Sequence, residues 1–267
     1  MAVTRLAAFM AAMFVVLTAS PGHTAANRCL AIAGAEPRAI PVAATPSALG
    51  SNEVRITFVG HSTFRIESAG GVTVATDYSG DAGEGVLPDV VTMNHAHSTH
   101  YTDFPDKDIK HVLRGWNPDG GAANHDLTVG DVKIRNVPTN IRSWTGGTEI
   151  DGNSIFIFEV AGLCIGHLGH LHHELTPQHI GWIGRLDVVF VPVDGTVTLD
   201  HASMISVLKD LRASIIIPMH FFGLTTLGEF ILKMREEFTV ETSKEPSVIV
   251  SETSLPSTPK LLVLPGY

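Results

Sequence analysis

Between Val54 and Met93 the apolar and β-branched residues come in short runs, VRITFVG, TFRIES, GVTVATD and DVVTM, broken by Gly, Ser and Asp. Runs of this length, rich in Val, Ile, Thr and Phe and punctuated by turn residues, predict strands of a meander. HVLR, DVKIRNV, SIFIFEV and LCIGHLG carry the same texture as far as Gly169. From Asp187 onward helix and strand alternate. DVVFVPV reads as a strand and SIIIPMH as a buried one, whereas DHASMISVLKDLRA, opened by Asp200, and TTLGEFILKMREEF have the spacing of amphipathic helices. Many strands together with helices that must cover them predict a layered α/β sandwich. No segment repeats at a fixed spacing.

The chain ahead of this region differs. MAVTRLAAFMAAMFVVLTASPGHTAA has one Arg, an apolar run from Leu6 to about Ala19, a Pro-Gly break and small residues ending at Ala26. That is the pattern of a secretory signal peptide over residues 1–26, and it predicts a periplasmic or secreted protein. The competing reading is a membrane anchor, for which the run is short of the ~20 residues a span needs. Residues 27–52, rich in Ala and Pro, read as an N-terminal arm lying on a single domain over 53–267. In an oxidising compartment the two cysteines, Cys29 and Cys164, have a disulfide open to them, although Cys164 in GLCIGH also reads as a small buried hydrophobe.

With 267 residues, 44% apolar and 17% charged, the chain is globular rather than disordered. Its formal charge of −9 and the lack of any Lys/Arg cluster argue against nucleic acid as a partner. No later segment is apolar for long enough to cross a membrane. The oligomeric state is not legible.

Histidine carries the chemical signal. Of 14 histidines, seven fall in two short stretches, His95, His97 and His100, then His167, His170, His172 and His173. Each stretch follows a predicted strand, and His220 ends another. Imidazoles delivered by three separate strand ends are the arrangement a metal needs, because its ligands must converge from rigid elements. His111, His125, His179 and His201 read as structural or solvated. Other chemistries fit less well. No Gly-x-Ser-x-Gly elbow is present, GDAGEG at 80–85 lacks the spacing of a phosphate loop, and DGG at 119–121 is a turn signal.

The segments FVGHSTFRIESAGGVTVATD, PDVVTMNHAHSTH, NSIFIFEVAGLCIGHLGHLHHEL, DVVFVPVDGTVTLD and IIIPMHFF resemble, in order, those of the metallo-β-lactamase superfamily. They are most similar to its L-ascorbate-6-phosphate lactonase-like branch. The resemblance implies a four-layer αββα sandwich with metals held on loops at one sheet edge. It also implies a metal loop of the form His-x-His-x-Asp-His, which His95, His97 and His100 match and Thr99 breaks. The Gly-Asp pair that bridges two metals in that branch corresponds to Gly169-His170, and the last family ligand corresponds to His220. A further family histidine has no counterpart in VPTNIRSW, which offers Asn140, Ile141 and Arg142. Asp77 matches a family aspartate that supports the metal loop, although a strand-end Asp also reads as a turn cap; His61 matches a family position near the site and reads equally as a buried structural histidine; His172 matches a family histidine able to contact substrate or carry a proton. Its neighbour His173 reads as solvated.

These departures have chemical consequences. A threonine hydroxyl is a poor divalent-cation ligand beside a carboxylate. An imidazole at 170 has one lone pair and cannot bridge. One zinc ion is therefore expected, with two as the alternative. The trio expected to hold it is His100, His170 and His220, or else His95, His97 and His170. His170 and His172 are the expected catalytic residues, with Asp77, His61 and Thr99 behind the ligands. The implied activity is hydrolysis of an ester, lactone, amide or phosphoester bond by metal-activated water. The alternative is a non-catalytic metal- or ligand-binding protein that keeps the fold.

Overall fold

The structure is a computed structural model, and it describes residues 29–30, 39–40, 49–95, 97–143 and 145–266. The stretch read as a signal peptide lies outside the described residues. In chain order the strands are β1 (Ala39–Ile40), β2 (Val54–Gly60), β3 (Thr63–Ser68), β4 (Thr73–Ala75), β5 (Val90–Met93) and β6 (His111–Arg114). There follow β7 (Asp126–Val129), β8 (Val132–Arg142), β9 (Thr148–Val160) and β10 (Leu163–His167). The last part alternates α1 (Pro177–Ile183), β11 (Val188–Pro192), α2 (His201–Leu211), β12 (Ile215–Met219) and α3 (Leu224–Met234), then β13 (Thr239–Thr242), β14 (Ser247–Val250) and β15 (Lys260–Val263).

Two sheets form. One has six strands in the order β14-β2-β3-β4-β5-β6, the other nine in the order β1-β7-β8-β9-β10-β11-β12-β15-β13. Their facing sides share one apolar core that includes Phe58, Phe64, Ile66, Phe156, Phe158 and Phe190. Phe64 from the first sheet stacks on Phe190 from the second with ring centroids 3.9 Å apart. The strands alternate facing because side chains project with a period of two. The other face of the nine-stranded sheet therefore carries Ile155, Ile157, Val189, Val191 and Ile216, which are covered by Met204, Val207, Leu208 and Leu211 of α2 and by Leu227, Phe230 and Met234 of α3. Parallel pairing of β10, β11 and β12 forces a crossover between successive strands, and right-handed crossovers place their helices on one face.

The α/β sandwich expected from the pattern is thus present, with one local difference. The outer face of the six-stranded sheet is covered, among the described residues, by loop residues Tyr78, Tyr101, Ile109 and Trp116 rather than by a helix. The segment after the histidine loop, YTDFPDKDIK, has a mid-run Pro and no helical spacing of apolar residues, so no helix can fill that layer. Short strands at β7, β13, β14 and β15 and the helix α1 were not apparent in the pattern.

Of the stretch read as an arm, Ala39–Ile40 pairs parallel with β7, and Cys29 is disulfide-bonded to Cys164, 135 residues away. Cys29 also accepts the main-chain N–H of Arg185 on its carbonyl. Cys164 is thereby both buried and bonded. No helix among the described residues is long and apolar enough to cross a membrane.

Candidate metal centre

The carboxyl ends of strands from both sheets meet at one place. β4 ends just before Asp77, β5 runs into the loop carrying His97 and His100, β10 leads to His170, β11 to Asp194, and β12 to His220. The tight turn between β2 and β3 adds His61. Holding these side chains inward requires left-handed backbone at three non-glycine residues, His61 (φ 49°), Asp77 (φ 45°) and His220 (φ 53°). Such positions cost roughly 1–3 kcal/mol each and persist where surrounding structure fixes them, commonly at functional sites. Gly169 (φ 60°) precedes His170, and a Cβ there would stand 2.3 Å from the Asn153 side-chain oxygen. Only glycine fits that approach.

One ring nitrogen from each of His61, His97, His100 and His220 lies within 4.8 Å of the others. The Nε2 atoms form a chain, 3.0 Å from His170 to His97, 3.3 Å from His97 to His100, and 3.2 Å from His100 to His220. The far nitrogens are anchored. His100 Nδ1–H donates to Asp77 at 2.7 Å, and His220 Nδ1–H donates to Asp194 at 3.0 Å, all four side chains being fully buried. His97 Nδ1 lies 2.7 Å from the Thr99 hydroxyl, which is 2.8 Å from His61 Nε2.

These partners decide what the centre offers. A neutral imidazole whose Nδ1 carries the proton has its lone pair on Nε2. His100 and His220 therefore point lone pairs at each other across 3.2 Å with no proton between them. That arrangement is repulsive by itself and is relieved by a cation bonded to both. Tetrahedral zinc with bonds of about 2.0–2.1 Å spaces its ligand nitrogens by about 3.3 Å, close to the separations here. The residues fit a zinc-sized ion with nitrogen ligands.

Burial disfavours the charged form of His61, His97, His170 and His172. It lowers His61 to about 3 and His97 to about 4, with neighbouring imidazoles adding to the effect. Burial and then the Arg142 charge lower His172 to about 4. His170 is lowered further, again chiefly by burial and then by His100 and His220. Burial alone would raise the Asp77 carboxyl, but His100 and His167 beside it and hydrogen bonds from His100 and Asn94 bring it below the usual range. Asp194 is lowered in the same way. Against its burial stand hydrogen bonds from His220, Thr198 and the main chain at Thr196 and Thr198.

The structure brings together His61, His97, His100, His170, His220, Asp77 and Thr99, with His172 against His170. It separates His95 from them. His95 Nδ1 pairs with Glu149 at 3.1 Å and its ring stacks on Trp116, so the trio of His95, His97 and His170 is not assembled. Residues two apart would share a face if the strand continued, but β5 ends at Met93, so no strand period holds His95 and His97 on one side. Instead His97 joins His100 and His220. His173 is not merely solvated, because its Nε2 accepts the main-chain N–H of Asn140. His167 is structural, holding Ser62 O and the Gly169 N–H. The bland histidines His125 and His201 bond to main-chain carbonyls, and His179 caps α1.

Asp194 was missed. Its signal lay in the sequence, for VFVPVD ends a strand in an aspartate just as VTVATD does at Asp77.

Comparison with known proteins bears on this arrangement. A family model described as the beta-lactamase superfamily domain matches residues 55–220, the span that contains every group of the centre. The chain belongs to the metallo-β-lactamase superfamily. Among solved structures of the superfamily, a Thermotoga maritima protein described as a Zn-dependent hydrolase shares 30% identity and superposes with a TM-score of 0.58, covering 79% of this chain and 98% of that one. Igni18, a metallo hydrolase from Ignicoccus hospitalis, is similar in fold, with a TM-score of 0.52 at 21% identity over 74% of this chain and 99% of that one. A metal-dependent hydrolase from Pelotomaculum thermopropionicum is 23% identical over 220 residues, 73% of this chain and 96% of the relative.

Proposed function

We propose that this superfamily member is an exported, zinc-dependent hydrolase of small molecules, with one ion per chain. The observation that carries the reading is the convergence of His97, His100 and His220, each with its other ring nitrogen held by an acceptor. What zinc supplies when bound in such a place is Lewis acidity, which brings the pKa of water to about 7 and polarises the electrophilic oxygen of an ester, lactone, amide or phosphoester.

The chain's own groups do the rest. Asp77 and Asp194 orient His100 and His220, keep the proton of each ring on Nδ1 and raise the basicity of the Nε2 lone pair that would hold an ion. Thr99, where the resemblance expects a carboxylate, does not present a ligand oxygen but fixes His97. His170 and His172 border a cavity of about 340 Å³ together with Arg142, Ser143, Thr196 and Val197. That volume suits a small molecule. Arg142 donates to the carbonyls of Thr196, Val197 and Thr198, which holds the cavity's rim closed on one side. The Cys29–Cys164 disulfide supports an oxidising compartment and with it the export reading.

The loss of two family carboxylates favours a second reading, a metal-binding protein without turnover. Elemental analysis of the mature protein beside a panel of lactone, ester, phosphodiester and β-lactam substrates separates the two. Zinc near one per chain with hydrolysis of a panel member is expected. Zinc without any turnover supports the binder, and no metal at all removes both.

A further inference from the structure

We propose that His170 is a fixed N–H donor rather than a metal ligand, its tautomer set through His172 by the main-chain N–H of Arg142. The role of this donor rests on the hydrolase reading above, whereas its tautomer does not.

A main-chain N–H only donates. Arg142 N lies 2.6 Å from His172 Nδ1, so that nitrogen presents a lone pair and His172 carries its proton on Nε2. His172 Nε2 is hydrogen-bonded to His170 Nδ1, which must then accept. The proton of His170 is left on Nε2, and Nε2 points at His97 Nε2 from 3.0 Å.

The histidines of the centre thus divide by tautomer. His100 and His220 turn N–H groups outward to Asp77 and Asp194 and lone pairs inward. His170 does the opposite. A ligand must offer a lone pair, and His170 offers a proton. In the metal-free centre that N–H has the lone pair of His97 as acceptor. One lone pair cannot serve both a metal and a hydrogen bond, so binding an ion at His97 releases the His170 N–H toward the cavity it borders with Arg142, Ser143 and Val197. The group it then suits is an oxygen that gains negative charge, as the electrophilic oxygen of an ester, lactone or phosphoester does during hydrolysis. Where the resemblance places an acidic bridging ligand, this chain has a neutral donor. His173 receives the Asn140 N–H in the same fashion, but its Nδ1 donates to Glu174 O and nothing passes into the centre.

Two measurements on the full-length mature protein test this. In zinc titrations of chelator-stripped protein, His170→Gln should keep one ion per chain with an affinity within about tenfold of wild type, the small end of what loss of a hydrogen bond around a site costs. His97→Gln should lose far more. In long-range ¹⁵N–¹H correlation spectra, His170 and His172 should both appear as Nε2–H tautomers, with or without zinc. His172→Phe, which removes the relay, should turn His170 into a mixture of tautomers. Loss of zinc in His170→Gln equal to that in His97→Gln, or a His170 resonance with Nδ1 protonated, overturns the proposal. If wild type takes up no zinc, the hydrolase reading fails, and the metal-free spectrum still decides the tautomer by the same criterion.

Discussion

Replacing Asp77 with asparagine isolates the charge and acceptor capacity of this buried carboxylate. Asparagine has the same shape and tolerates the left-handed backbone at position 77, so the turn should survive. The wild-type carboxylate accepts two buried donors, His100 Nδ1–H at 2.7 Å and Asn94 Nδ2–H at 2.9 Å. The amide keeps one acceptor oxygen and sets an NH₂ against the other donor. If Asn94 keeps the oxygen, His100 must shift its proton to Nε2 and lose the lone pair it turns to the centre. If His100 keeps it, the Asn94 donor is left unsatisfied, at about 1–3 kcal/mol. Removing such a partner weakens metal binding by about 10–100-fold, equivalent to about 1.4–2.7 kcal/mol. Competition titration of zinc against a chromogenic chelator reads the affinity, and urea unfolding in EDTA reads the metal-free stability. Zinc affinity unchanged in Asp77→Asn while metal-free stability falls would refute the reasoning, because Asp77 would then serve the fold alone.

Three other outcomes follow from the same structure. His61, His97 and His172 are lowered to about 3, 4 and 4 in the fold from about 6.5 in the unfolded chain. Between those values the unfolded state binds more protons, so metal-free stability should fall as pH drops from about 6.5 to about 4 and stay level above; a urea midpoint equal at about pH 7.5 and 4.5 would contradict this. Opening the Cys29–Cys164 link, which closes a loop of over a hundred residues, should lower stability by about 2–5 kcal/mol in unfolding runs with and without reductant. Mass spectrometry of the exported protein should find its N-terminus at Ala26 or Asn27, and an intact Met1 there would count against export by signal cleavage.

Much of the fold could be read from runs of apolar residues because each long run is one strand or one helix. DVVFVPV, SIIIPMH and the two amphipathic helices came through nearly intact. TVET, SVIV and KLLV were hidden because runs of only four residues carry little periodic signal, and they become strands only through partners 20 or more residues away. The site divides in the same way. His97, His100, His170 and His220 stood out because they follow strand runs. Which face each would take depended on the turn of a loop, so His95 could not be told from His97. The Arg142 amide was beyond sequence reasoning altogether, since a main-chain donor has no letter of its own. It is available because β7 pairs only with the first residues of β8 and leaves the edge open at Arg142.

The central claim is a single metal centre built from imidazoles. Anomalous diffraction at the zinc edge, from crystals of zinc-loaded protein, tests it most directly. One peak per chain is expected, bonded to Nε2 of His97, His100 and His220 at about 2.0–2.1 Å, with His170 beyond bonding distance and His95 still on Glu149. Two peaks, a peak ligated by His95, or none at all would contradict the account.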